Sequence, residues 1–243
     1  MNLMSPYELK MKLDLADDRA KFVKEHSMSN KMNVIVTDDG YMHFFDDEGN
    51  DITKSVKSIE YGAFQNCRSL KSIIIPDSVK SIGECAFYNC ISLKSIVIPD
   101  SVKSIGDDAF WNCTSLTNIF IPDSVESIGD SAFRWCTSLT SIFIPDLVTS
   151  IGDFAFADCS SLANIVIPDS IIYIGDRAFR WCLSLTDVVI PDSVESIDEY
   201  AFYNCLNLKS IVFKGKTLDK VKSMGNYPWG VEDRSVFKSS SIV

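Results

Sequence analysis

Seven cysteines recur along the chain at a constant spacing of 23 residues, and this spacing constrains the fold more than any other feature. They are Cys67, Cys90, Cys113, Cys136, Cys159, Cys182 and Cys205. A fixed period between about 20 and 50 residues is typical of a stacked repeat array rather than of a compact domain. The sequence therefore predicts that each 23-residue unit is one coil of a solenoid.

Each unit follows the pattern S-I-G-D-x-A-F-x-x-C-x-S-L-x-x-I-x-I-P-D-S-V-x. In one copy, Ile142 and Ile144 alternate with Ser141 and Phe143, which is the period of a short strand with one buried side. Pro145 has no backbone N–H and ends this strand in a Pro-Asp turn. The segment from Gly-Asp to Cys is predicted to form one helical turn with Ala, Phe and Cys facing the core.

This pattern resembles a known repeat family. The segment L-x-x-I-x-I-P, with a cysteine two residues before Ser-Leu, resembles a leucine-rich repeat, and AFxxCxSLxxIxIPDSVxSIG is similar to the BspA-like class. The resemblance implies an α/β-type leucine-rich repeat solenoid of seven 23-residue coils. Short parallel strands would form the concave face, one-turn helices the convex side, and caps would cover both ends.

For function, the same resemblance implies a non-catalytic scaffold for protein binding or adhesion, at the cell surface or outside the cell. The first 20 residues carry charges every few positions and do not read as a secretory signal. Free cysteines also suit a reducing compartment, so the localisation stays open. The alternative is a structural component of a phage particle or cell-surface assembly, attached through the N-terminal segment.

The pattern divides the chain into three parts. Residues 1–57 are predicted to form an N-terminal cap, made of a helix and a hairpin around Asp39-Gly40, and residues 58–213 hold the seven repeats. Residues 214–243 are predicted to form a C-terminal cap that begins with a short helix at Thr217. Its apolar residues are expected to cover the last coil, and they are Leu218, Val221, Met224 and Trp229.

Composition argues against several classes of function. The net charge of −10 disfavours nucleic acid and anionic membrane surfaces as partners, because both require a basic footprint. No apolar run approaches the roughly 18 residues that a membrane span needs. Both histidines, His26 and His43, precede the repeats, and no nucleophile–base pair, phosphate loop or metal motif is present. We predict no catalysis, no cofactor, no metal site and no membrane insertion.

The cysteines and the Pro-Asp aspartates form two further rows. The periodic cysteines are predicted to be reduced and buried, because stacked copies have parallel Cβ vectors that cannot form a disulfide. Cys85 occupies a variable position and is predicted to be exposed and reactive. The aspartate row is best explained by turn chemistry, with Ca²⁺ binding left open, and consists of Asp77, Asp100, Asp123, Asp146, Asp169 and Asp192.

The outward positions of the strands are the predicted recognition surface, centred on Phe120 and Phe143, with Asn118 and Ser141 giving orientation. The full set is Ile74, Val97, Asn118, Phe120, Ser141, Phe143, Asn164, Val166, Asp187 and Val189. The alternative is that these side chains only stabilise the sheet by cross-strand pairing. A second candidate patch for a partner or a sugar lies beside the convex turn: Tyr88, Trp111, Trp135, Trp181 and Tyr203. The alternative is that at least half of these aromatics only pack between coils. We expect a monomer that binds a protein or another macromolecule.

Overall fold

The computed structural model describes residues 33–36, 42–45, 50–225 and 227–240. In chain order the strands are β1 (Asn33–Val36), β2 (Met42–Phe45), β3 (Ser58–Ile59), β4 (Ser72–Ile74), β5 (Ser81–Ile82), β6 (Ser95–Val97), β7 (Ser104–Ile105), β8 (Ser127–Ile128), β9 (Ser141–Phe143), β10 (Ser150–Ile151), β11 (Asn164–Val166), β12 (Tyr173–Ile174), β13 (Asp187–Ile190), β14 (Ser196–Ile197), β15 (Ser210–Lys214) and β16 (Phe237–Ser240). One α-helix, α1 (Leu218–Lys222), follows β15, and 3₁₀ helices span Thr53–Ser55 and Arg234–Val236.

Each coil contributes to two rows of parallel strands. The first row, here called the concave sheet, pairs β4 with β6, β9 with β11 and β13 with β15, and Phe120 forms a parallel bridge to Val97. The second row contains the ladders β3-β5-β7-β8 and β10-β12-β14. Paired residues lie 23 positions apart, as Ile142 and Ile165 do. The predicted leucine-rich repeat solenoid is therefore confirmed.

The core is a set of columns in which each coil places the same side chain. Ala132, Phe133, Cys136 and Leu139 are fully buried, and Ile142 is nearly so. One column stacks phenylalanine rings from adjacent coils with centroids 5.1 to 5.6 Å apart: Phe64, Phe87, Phe110, Phe133, Phe156, Phe179 and Phe202. Burying one such side chain contributes about 1.5–3 kcal/mol, and a coil achieves this burial only between two neighbours.

The convex segments are hydrogen-bonded turns and not the expected one-turn helices. The N–H groups of Ser131, Phe133 and Trp135 donate to carbonyls of the next coil at 2.7 to 3.0 Å. The intervening N–H groups of Arg134 and Cys136 donate to the carbonyl three residues earlier. A helix directs all of its N–H groups along its own axis. Because alternate N–H groups here join neighbouring coils, the segment cannot be helical.

The Gly-Asp dipeptide that recurs in the repeats also joins neighbouring coils. A Cβ atom on Gly129 would lie 2.5 Å from the backbone nitrogen of Asp107, so the glycine is needed for close approach of two coils. The carboxylate of Asp107 accepts a hydrogen bond from the Asp130 N–H at 2.8 Å. Asp130 does the same for Asp153. These aspartates therefore bind the next coil instead of capping a helical turn in their own.

All eight cysteines are free and buried, as expected for the seven periodic ones. The Cys136 thiol donates to the Phe110 carbonyl of the preceding coil at 3.2 Å, and equivalent bonds recur along the column. The prediction for Cys85 was wrong, since this residue is only 8% exposed. Burial raises the pKa of its thiol, and the nearby carboxylates of Asp108 and Glu84 raise it further.

Two positions in every coil have a left-handed backbone. One lies between Asp and Ala of the repeat, where Cys85 has a φ of 56°. The other directly precedes the periodic cysteine and has φ between 57° and 63°: Asn66, Asn89, Asn112, Trp135, Asp158, Trp181 and Asn204. Asn89 donates to Asn66 at 2.6 Å and Asn112 to Asn89 at 2.7 Å, forming an amide ladder. Asn and Asp tolerate this conformation, whereas bulky side chains rarely adopt it.

At the N-terminal end, β1 and β2 pair antiparallel, and Ile52 donates to the Phe44 carbonyl at 2.7 Å. The helix predicted before them, and the Asp39-Gly40 turn, lie outside the described residues.

At the C-terminal end, the chain after β15 occupies the place of a further coil. Phe202 donates to the Trp229 carbonyl at 3.1 Å, as other coils donate to their neighbours. Trp229 is fully buried, lies 5.7 Å from Phe213 and donates its indole N–H to Met224 at 3.0 Å. Val221 is buried as well, and β16 pairs with β15. The side chain of Leu218 lies outside the described part of the chain.

The thiol environments predict slow chemistry in the native state. Burial raises the pKa of the Cys205 thiol to about 12, and the thiolate is the reactive form. We expect a chromogenic disulfide reagent to find no fast-reacting thiol in native protein and eight after unfolding. If native wild-type protein has one fast-reacting thiol and Cys85→Ala has none, then Cys85 is accessible after all.

The C-terminal cap is expected to be required for a soluble, stable fold. Truncation after Phe213 would expose the last coil, and we expect aggregation or a clear fall in melting temperature. Trp229→Ala should cost about 3–5 kcal/mol in unfolding free energy, as for other large buried aromatics. The measurements are light scattering and thermal melting. A monomeric truncation product with an unchanged melting temperature would show that the last coil needs no cover.

The left-handed positions predict an unusual gain in stability. Trp135→Asn and Trp181→Asn replace a bulky residue by one suited to positive φ, and should each add about 1 kcal/mol. The melting temperature should rise by about 2–4 °C for each. Trp111→Asn is the matched control and should destabilise, because Trp111 stacks on Tyr88 at 4.4 Å. A melting temperature that falls in both left-handed variants would mean that these tryptophans stabilise the fold.

Candidate functional site

The outward positions of the concave sheet form a continuous apolar row. Ile142 and Ile144 point into the core, so the alternating residue Phe143 faces away from it, and it is 45% exposed. Phe120 is 67% exposed. The row, here called the concave row, consists of the exposed Val97, Phe120, Phe143, Val166 and Val189, with the half-buried Ile74 at its N-terminal end. The structure thus places the predicted residues together on one surface.

Polar residues line the concave row on both sides. Ser141 and Asn164 precede the row in their strands and are exposed, and so are Asn118 and Asp187. On the other side, the Pro-Asp aspartates are exposed beyond the end of each strand. Near the C-terminal end, Asp192 is paired with Lys216 at 2.9 Å and Asp169 with Lys214 at 4.0 Å. The carboxylates beside Phe120 and Phe143 belong to Asp123 and Asp146, which form no ion pair within the described part of the chain.

The Pro-Asp row does not have the geometry of a metal site. Each turn is closed by a backbone bond, such as that from the Val148 N–H to the Pro145 carbonyl at 3.1 Å. Across the described residues, no three His, Cys, Asp or Glu side chains come together in a group that could hold a metal ion. The aspartates remain spaced one coil apart along the surface and do not converge on one point.

The second candidate patch separates into two columns in the structure. Tyr88 and Trp111 occupy one column and stack on each other at 4.4 Å, and Tyr203 lies in the same column five coils after Tyr88. Trp135 and Trp181 occupy the left-handed column next to it, and they are 41% and 37% exposed. These five residues therefore do not form one uniform surface.

Arginines that sequence reasoning did not select lie beside the exposed tryptophans. The Arg134 guanidinium lies 4.8 Å from the centroid of the Phe154 ring, and Arg177 lies between the Phe154 and Tyr200 rings at 5.5 and 5.0 Å. Arg134 also pairs with Asp158 at 3.5 Å. For Arg134, the sequence signal that could have indicated this site is the repetition of Ala-Phe-Arg-Trp-Cys at residues 132–136 and 178–182.

A shallow cleft lies where the convex side meets the C-terminal cap. It has a volume of about 490 Å³, and its lining includes Tyr200, Tyr203 and Tyr227 together with Glu199 and Glu232. Sequence reasoning missed this cleft because Tyr227 comes from the cap and the other two tyrosines from the last repeat.

Within the described residues, no helix has the length and apolar character that a membrane span requires.

Similar proteins of known structure share this architecture. A leucine-rich repeat protein from Bacteroides ovatus is 37% identical, with a TM-score of 0.63, and the match covers 74% of this chain and 45% of that one. A leucine-rich cell surface protein from Faecalibacterium prausnitzii is 33% identical, with a TM-score of 0.62, over 82% of this chain and 56% of that one. The chain thus spans about half the length of these two proteins.

A third structure, the leucine-rich repeat protein of T. pallidum, is 28% identical, with a TM-score of 0.60, over 76% of this chain and 91% of that one. Among curated proteins, none matches the sequence. The sequence model of the BspA-type leucine-rich repeat region matches in six copies, over residues 48–159 and 126–227. With most of the chain matched, the protein belongs to the BspA-type leucine-rich repeat family.

Proposed function

We propose that this protein is a non-catalytic scaffold that binds another protein through the concave row. Solenoids of this family are generally scaffolds for interaction or for a surface, which supports the class of function. The observation that carries the proposal is the exposure of large apolar side chains in five consecutive coils, with Phe120 the most exposed of them. A contiguous apolar patch of this kind commonly marks a contact surface on a soluble protein.

The charges beside the concave row indicate the chemistry of the partner. Asp123 and Asp146 each lie three residues after the central phenylalanines, and neither is paired within the described residues. Like charges one coil apart repel each other, and a cation from a partner would relieve that repulsion. The favoured partner is therefore a protein segment that presents Lys or Arg next to apolar side chains.

The geometry also favours a segment that runs along the solenoid axis. The apolar side chains and the aspartates form two parallel rows, each with one member per coil. A segment lying parallel to the strands of one coil would contact only one apolar side chain and one aspartate. A segment lying along the solenoid axis can contact Phe120 and Phe143 with apolar groups and pair with Asp123 and Asp146 through cations at the same time.

The experiment begins with a photoreactive benzoylphenylalanine in place of Phe120, with the same group in place of Leu206 as the control. Leu206 is 72% exposed and follows Cys205, outside the concave row and the Pro-Asp turns. A protein that cross-links from position 120 and not from position 206 is then purified. Its affinity is measured by calorimetry against wild-type and variant chains.

Phe120→Ser/Phe143→Ser should weaken this affinity by at least about 30-fold, or about 2 kcal/mol, because central aromatics carry most of the energy of an interface. Ile172→Ser/Leu206→Ser removes two exposed apolar side chains elsewhere and should leave the affinity unchanged. Asp123→Asn/Asp146→Asn should weaken binding and reduce its dependence on salt.

Two outcomes would overturn the proposal. If wild-type protein and Phe120→Ser/Phe143→Ser bind the partner with equal affinity, the concave row does not take part in recognition. A dimeric wild type that becomes monomeric in the same variant, measured by light scattering, would mean that a second copy of this chain covers the row.

A further inference from the structure

Of the four tryptophans of the chain, two have rings that stack or donate a hydrogen bond, and two have rings that do neither among the described residues. Trp229 is fully buried and donates a hydrogen bond to Met224, and Trp111 stacks on Tyr88. Trp135 and Trp181 are more exposed, and neither has a ring–ring contact or a hydrogen bond from its side chain among the described residues. Ring stacking and hydrogen bonding therefore do not account for these two side chains.

Their backbone positions make the two residues costly. Trp135 and Trp181 have φ of 63° and 60°, in a column where the other coils carry Asn or Asp. A bulky residue in this region is strained, and such strain tends to persist at functional sites. The amide ladder of Asn66, Asn89 and Asn112 also ends where Trp135 begins. The chain gives up local stability at both positions, although 41% of Trp135 and 37% of Trp181 stay exposed.

The arrangement of the two rings repeats along the solenoid. Trp135 donates its backbone N–H to Ala157, and Asp158 donates to Arg180, so a single coil lies between the tryptophans. Two coil steps amount to about 10 Å at the usual spacing of neighbouring strands. This length is comparable to one disaccharide of an extended β-1,4-linked glycan. In such a chain, every second sugar ring presents the same face, which suits two tryptophans in equivalent positions.

Polar groups between and beside the rings suit sugar hydroxyls. Asp158 lies in the coil between the tryptophans, and its carboxylate, paired with Arg134 at 3.5 Å, is an acceptor. The Nε atom of Arg180 is buried and has no hydrogen-bond partner among the described residues. The carboxylates of Asp158 and Asp176 pair with Arg134 and Arg177. Arg180 adds one cation to these two balanced pairs, but the whole chain carries −10, so a neutral ligand is favoured over an anionic one.

We propose that Trp135 and Trp181, with Asp158 and Arg180, form a binding site for a neutral, linear, β-1,4-linked glycan. The apolar C–H faces of two sugar rings stack on the indoles, while the intervening hydroxyls meet the carboxylate and the guanidinium. The cleft lined by Tyr200, Tyr203 and Tyr227 continues the site, since Trp181 donates its backbone N–H to Tyr203 in the next coil. Its volume of about 490 Å³ is within the usual range for small-molecule sites.

The test is a titration of wild-type protein with cellohexaose and chitohexaose, followed by tryptophan fluorescence and by calorimetry. Stacking should shift the emission of the exposed indoles to shorter wavelength. Cellobiose and chitobiose can contact only one of the two tryptophans at a time. They should bind at least about tenfold more weakly than the hexasaccharides, because two linked contacts reinforce each other. Maltohexaose, whose α-linked chain is coiled, should also bind more weakly.

The variant that tests the site is Trp135→Asn/Trp181→Asn, which places the residue of the other coils at each position and is expected to fold at least as stably. It should lose the hexasaccharide response, and each single variant should weaken binding by about tenfold or more. Trp111→Phe keeps the stack on Tyr88 and should bind as the wild type does. Calorimetry supplies the affinity where the variants lack the fluorescence signal.

Three results would overturn the proposal: no response to either hexasaccharide at millimolar concentration, equal binding by the double variant, or equal affinity for hexasaccharide and disaccharide. A protein partner that binds Phe120→Ser/Phe143→Ser normally, but not Trp135→Asn/Trp181→Asn, would assign the tryptophans to a protein interface instead of a glycan site.

Discussion

The structure depends on hydrogen bonds between backbone groups that lie 22 to 24 residues apart. On the convex side, the Phe133 N–H donates to the Ala155 carbonyl of the next coil, and the Gly129 N–H donates to the Ile105 carbonyl of the preceding coil. A buried backbone group without a partner costs about 1–3 kcal/mol, so an isolated coil would leave many such costs uncompensated. The constant cysteine spacing follows from this requirement, because one inserted residue would break the register of every column in that coil.

The same requirement determines which positions are free to carry function. Columns that face the core or a neighbouring coil are held to a few residue types, as the Phe, Cys and Gly columns are. The Cys column shows how strict the choice is, since the Cys136 thiol both fills the core and donates to the Phe110 carbonyl. Variation is left to the outward strand positions and to the convex turns. Both surfaces proposed for binding are drawn from these free columns.

Much of this was predictable from periodicity. The apolar pattern indicated that Phe133, Cys136, Ile142 and Ile144 face the core and that Phe143 faces outward, and the structure agrees. The convex turns were not predictable in the same way, because a positive φ leaves no mark on an apolar pattern. Cys85 illustrates the point: it occupies a variable position with a left-handed backbone, and it is nevertheless buried. The cleft at Tyr227 required a contact between the cap and the last repeat, which no local pattern encodes.

The two surfaces differ in how far structure alone explains their residues. Phe120 and Phe143 lie in or beside strands, where aromatic and β-branched residues stabilise a sheet by cross-strand contact, as at the bridge between Val97 and Phe120. Their exposure therefore has a partial structural explanation as well as a functional one. Trp135 and Trp181 have no equivalent compensation, since their backbone is strained and their rings lack the ring contacts that Trp111 and Trp229 make. A residue that costs stability and whose ring makes neither a ring contact nor a hydrogen bond among the described residues is the stronger indication of recognition, although the concave row is the larger surface.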